Sequence, residues 1–195
     1  MKTPALFIIL GFSTLLLPMC KPAHAYDKYI KELDSLKVVV EQAVDNFNTV
    51  DSLACYEAWA KQDTYSSFLS ARLNDTVSAK EAESLQHFFN IGKPLHDYLT
   101  MRSVWVSEAK TGIKQVSQLS NDLKNGSVET AEAIEFINDE KKSSEKIIEE
   151  LKVNTALIRK HLEVYTKTLP AIENMIRNIN SGELPVIIKP EIKSL

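Results

Sequence analysis

Twenty-six acidic and 23 basic side chains, mixed along 195 residues with a formal net charge of −3, exclude a general binder of nucleic acid. Only two cysteines, Cys20 and Cys55, are present, which excludes a small fold held together by disulfides. The length suits one domain that buries a core of its own.

The first element in chain order is a leader, expected to be a signal peptide over residues 1–25. Lys2 supplies the positive start, and Ala5 to Leu17 is almost wholly apolar. Those thirteen residues make a helix of about 20 Å at about 1.5 Å per residue. A bilayer needs about 20 residues, so the run does not span. Ala23-His24-Ala25 has the small-x-small form of a cleavage site, leaving Tyr26 as the first residue. The competing end is a lipid anchor on Cys20, with Leu17 placed as a lipobox requires. Met19 and Pro18 disfavour it, because small residues are preferred beside a lipidated cysteine. The implied location is a periplasm or the outside of the cell, with attachment to an envelope membrane through Cys20 as the alternative. Removing the leader takes away Lys2 and Lys21 and no acid, so the charge moves from −3 to −5.

Everything after the leader reads as helix, and the expected domain covers residues 26–182. Tyr26, Leu33, Val40, Phe47 and Ala54 recur every seven residues, with Tyr29, Leu36, Ala43 and Val50 three further on. The two rows form one apolar stripe, whose phase decays near Glu57 to Lys61. A shorter, broken helical element is expected over residues 62–90. Within it, Ser78-Ala79-Lys80-Glu81 has the form of a capping box. Gly92 is expected to end it in the left-handed conformation, with Pro94 opening the next helix. There the repeat returns through Leu95, Arg102, Ala109, Val116 and Leu123, with Tyr98, Trp105, Gly112 and Leu119 beside it.

Asn125-Gly126-Ser127 reads as stop, turn and N-cap. The last helix is expected to be the longest, with Ile137, Ser144, Leu151, Ile158, Tyr165, Ile172 and Ile179 in one row. Ile147, Asn154, His161, Thr168 and Met175 form the other. Pro170 should kink or restart it, and Asn180-Ser181-Gly182 should end it. The fold expected is therefore all-α: an elongated antiparallel bundle of three long heptad-patterned helices plus the shorter broken element.

Chemistry finds little purchase in this pattern. Glu83, His87, His96 and Asp97 flank one turn and could supply nitrogen and carboxylate ligands to zinc, but their spacing is not specific and solvated turn residues are expected. No residue is expected to be catalytic, and no metal or cofactor is implied. Cys55 lies in the apolar stretch Leu53-Ala54-Cys55-Tyr56, where burial is expected rather than an exposed thiolate, with pairing between chains as the alternative. Arg102, Asn154 and His161 interrupt apolar rows. Such groups either form satisfied polar layers or, with Trp105 and Tyr165, line a cavity for a small ligand.

The tail, residues 183–195, sets Val186, Ile187 and Ile188 between Pro185 and Pro190, which favours extended backbone over helix. It would lie along its own bundle or offer an edge or anchor to another protein. The functional expectation is an exported, non-catalytic bundle working through protein–protein contact, as an adaptor, chaperone or immunity-like protein. The alternative is a ligand-binding or sensing bundle that uses the polar layer.

Overall fold

The computed structural model describes residues 26–73, 77–189 and 191. The leader, with its cleavage site and Cys20, lies outside the described residues. Five helices follow in order: α1 (Asp27–Asn48), α2 (Ser52–Arg72), α3 (Ala79–Asn90), α4 (Gly92–Lys124) and α5 (Thr130–Ile179). The described residues contain no strand. None of their helices is long and apolar enough to cross a membrane.

The five helices make three columns. Side-chain contacts pair Glu32 with Lys141, Asn46 with Arg159, Lys61 with Glu173 and Arg72 with Asn180, at sequence separations of 109, 113, 112 and 108. A constant separation means that α1 and α2 together run parallel to α5. Asp34 with Ser120, Asn48 with Arg102, Val50 with Tyr98 and Gln62 with Phe89 are separated by 86, 54, 48 and 27. A separation that falls steadily means that α3 and α4 run antiparallel to α1 and α2. The molecule is thus an up-down-up bundle. The 50 residues of α5 span about 75 Å.

The all-α bundle is the one expected, and only the bounds of its shorter elements differ. Residues 52–72 complete the first column and residues 79–90 begin the second. The first column breaks at Thr49–Asp51 rather than near Lys61. Asp51 caps α2, its Oδ1 accepting from the N–H groups of Leu53 and Ala54 at 2.9 and 3.0 Å. Apolar continuity through Val50 and Ala54 masks the break because the stripe resumes on the far side.

The second column passes from α3 to α4 at Ile91, without the left-handed stop expected. Gly92 is not left-handed; among the described residues positive φ falls on Gly126, Ser181 and Gly182. What requires glycine is the Gln62 side chain, whose Oε1 would stand 2.3 Å from a Cβ at position 92. Ser78 and Glu81 form the capping box. Gly126 ends α4 with φ 66°, and the Ser127 N–H donates to the Asp122 carbonyl, so Ser127 belongs to the stop. The N-cap of α5 is Glu129, not Ser127. Pro170 lies within α5 without ending it.

The heptad rows supply the core. Leu33, Val40, Phe47, Leu95, Tyr98, Ala109, Val116, Leu151 and Ile172 are wholly or almost wholly buried. Each large apolar side chain among them contributes about 1.5–3 kcal/mol of transfer free energy. α2 departs from the one-sided pattern. Cys55, Ala58, Gln62, Tyr65 and Leu69 line one face, yet Ala60 and Thr64 on the other side are also buried. The tail accounts for the cover on Thr64. After the turn at Ser181-Gly182 it doubles back along α2, from Asn180 beside Arg72 to Ile188 beside Thr64.

Candidate functional site

Two places bring unusual residues together: the break in the first column and the strap that the tail forms.

At the break, α1 ends with carbonyl groups that have no helical partner. Two arginines from the other columns meet this end. Arg102 of α4 donates through Nη2 to Asn48 Oδ1 at 2.9 Å. Arg159 of α5 donates through Nη2 to Thr49 Oγ1 at 2.7 Å and Asn46 Oδ1 at 3.2 Å. Cations suit a helix C-terminus, where the backbone dipoles leave partial negative charge. The Tyr98 hydroxyl donates to the Val50 carbonyl at 3.4 Å. Phe47 plugs the layer, with Tyr98 at 5.6 Å and Trp105 edge-on at 5.9 Å between ring centroids. Arg102 and Trp105 therefore both serve the end of α1.

The other three residues of the expected polar layer do not join this arrangement. Asn154 donates through Nδ2 to the Glu150 carbonyl of its own helix and lines a shallow groove beside Lys146, Glu149 and Val153. Tyr165 stacks on Phe88 at 6.2 Å, and Phe88 stacks in turn on Tyr65 at 6.5 Å. Burial pushes the Tyr165 hydroxyl up to about 12. His161 is half-buried, and its Nδ1 is buried without a hydrogen-bond partner. Desolvation by burial, helped by the neighbouring Lys160 charge, lowers its pKa below the ordinary histidine value. Arg102 Nε is likewise buried and unpaired. Among the described residues, no hydrogen bond joins Arg102, Asn154 and His161.

The strap is the second place. Pro185 and Ile187 are half-buried, whereas Val186 and Ile188 are 87% and 71% exposed. That alternation is the period-two pattern of extended backbone. Leu184 and Ile187 pack against the main core, and the Ile188 N–H donates to Thr64 Oγ1 at 3.2 Å. Of the three residues expected to meet a partner, Val186 and Ile188 face solvent and Ile187 anchors the strap to its own bundle.

Cys55 is fully buried, and desolvation pushes its thiol up to about 11, which leaves little thiolate near neutral pH. The His96 ring lies 5.1 Å from the Trp59 ring, and His87 is exposed. Among the described residues no group of three His, Cys, Asp or Glu side chains is placed to hold a metal ion. Sequence reasoning missed Arg159 and Thr64. Arg159 sits at an outward heptad position, and Thr64 gains its role only once the tail is laid on α2. Comparison with protein-family models, with curated proteins and with solved structures returns no match for this chain.

Proposed function

We propose that this chain is an exported, non-catalytic helical-bundle protein that works by docking to a protein partner in the cell envelope, in an adaptor, chaperone or immunity-like role. The observation that carries the reading is the pair Val186 and Ile188, 87% and 71% exposed on a strap whose neighbour Ile187 is packed into the bundle. Branched apolar side chains held outward on an anchored segment lose little entropy when a partner covers them. The leader pattern supports export, with Ala25 as the cleavage point and Cys20 lipidation as the competing end.

The test is native mass spectrometry of the protein isolated from its own cells, wild type beside the double variant V186S/I188S. The reading requires a co-purifying protein mass in the wild type that is lost in the variant, while the two melt alike. A complex that survives the double substitution sinks the strap as the docking site.

A second reading, a small-ligand site at the mid-bundle layer, draws support from the unpaired Nδ1 of His161 and Nε of Arg102. A co-purifying mass of a few hundred daltons, lost in H161L, would favour it over the first.

A further inference from the structure

The strap offers backbone as well as side chains. In an extended segment the N–H groups of residues i and i+2 point to one side, and those of i+1 and i+3 to the other. Ile188 spends its N–H on Thr64 Oγ1, so that side of the strap faces α2. The opposite side then carries the N–H and C=O groups of Ile187 and Lys189. Among the described residues no hydrogen bond engages the N–H of either. Pro185 and Pro190 bound the segment, and Pro185, which has no N–H, limits the pairing edge on one side. The outcome is a short open edge that lies beside two exposed apolar side chains and is fixed in place by Leu184 and Ile187.

We infer that the strap is read by strand addition: the partner lays the edge of a β-sheet, or an extended segment of its own, against Ile187 and Lys189. Val186 and Ile188 then pack on side chains of the added strand. This deepens the docking function proposed above and rests on it. The chemistry of the occupant follows from the edge itself. Alternating donors and acceptors are matched by an extended backbone, whereas a helix has already used its own. The shortness of the edge and Pro185 keep the strap from pairing without limit.

The experiment places a photoreactive p-benzoyl-phenylalanine at position 191, an exposed glutamate just beyond the edge, in the full chain in its own cells. Adduct yields are then compared for Lys189→Ala and Lys189→Pro in that background. Both remove the lysine side chain, and only proline removes the N–H. Proline also keeps extended backbone, so the bundle should melt unchanged. The expected result is an adduct that excess unlabelled wild-type protein competes away. It should be retained in K189A and reduced about three- to tenfold or more in K189P, the loss of one ladder hydrogen bond. The cross-linked partner peptide should come from a strand edge. Equal yields from K189A and K189P overturn strand addition while apolar docking stands. No competed adduct in any background overturns both.

Discussion

The contact between Gln62 and Gly92 joins the first column to the α3–α4 junction in the second, and a double-mutant cycle tests it. In Gly92→Ala the new methyl meets the Gln62 amide, whose Oε1, Cδ and Nε2 would lie at 2.3, 2.7 and 2.9 Å. Gln62 is only 6% exposed and donates to Ser66 Oγ at 2.9 Å and to the Phe89 carbonyl at 3.4 Å. Moving its tip breaks both bonds at about 0.5–1.5 kcal/mol each. Against this stands a helix-propensity gain of about 1 kcal/mol for alanine over glycine. The net expectation is a loss of up to about 2 kcal/mol. In a Gln62→Ala background the obstruction is gone, and the same substitution should stabilise by up to about 1 kcal/mol. Urea unfolding of the four proteins reads the change of sign. A Gly92→Ala that stabilises both backgrounds equally would refute the reasoning, because the glycine would then have no steric duty.

Three further outcomes are expected. His161→Leu should raise stability by about 1 kcal/mol near neutral pH, since it removes an unpaired buried nitrogen. The folded pKa of His161 lies below the unfolded value of 6.5, so the histidine's contribution is intact above about 6.5 and is lost as pH falls below it. The advantage of the leucine variant should therefore widen between pH 7 and pH 5, as denaturant midpoints at the two pH values would reveal. Asp51→Ala removes the cap on two N–H groups and should cost about 1 kcal/mol, a fall of about 2–4 °C in Tm by circular dichroism. Cys55 should react with a thiol reagent only at the rate at which the bundle opens, and a rapid burst of labelling in native buffer would contradict its burial.

The core was legible in the sequence because seven-residue spacing and helix geometry are the same information. Leu33, Val40 and Phe47 fall in one row and are all buried. Stops at Gly126 and Gly182 were legible because positive φ selects glycine. The break at Asp51 was less so. An N-cap residue was present in Asn48-Thr49-Val50-Asp51, but the apolar rows continued across it. Gly92 was recognised as special for the wrong reason, since a close approach from Gln62 is long-range and leaves no local mark. The five polar and aromatic residues of the middle layer share heptad rows, yet adjacent rows reach different neighbours. Arg102 goes to Asn48, Asn154 to its own helix and Tyr165 to Phe88. The absence of helix over residues 183–189 was legible from Pro185, whereas the seat on Thr64 was not, because α2 is buried on two sides and shows no single apolar face.

Docking requires an anchored strap with one edge turned to the bundle and one left open. Amide hydrogen exchange over residues 184–189, read residue by residue by NMR and corrected for intrinsic rates, tests that arrangement most directly. The expected result is a slowed Ile188 amide between freely exchanging Ile187 and Lys189 amides, with the slowing abolished in Thr64→Val. Uniformly free exchange from Leu184 to Lys189 would contradict it, because the strap would then not rest on α2 and neither Val186 nor Ile188 would be held for a partner.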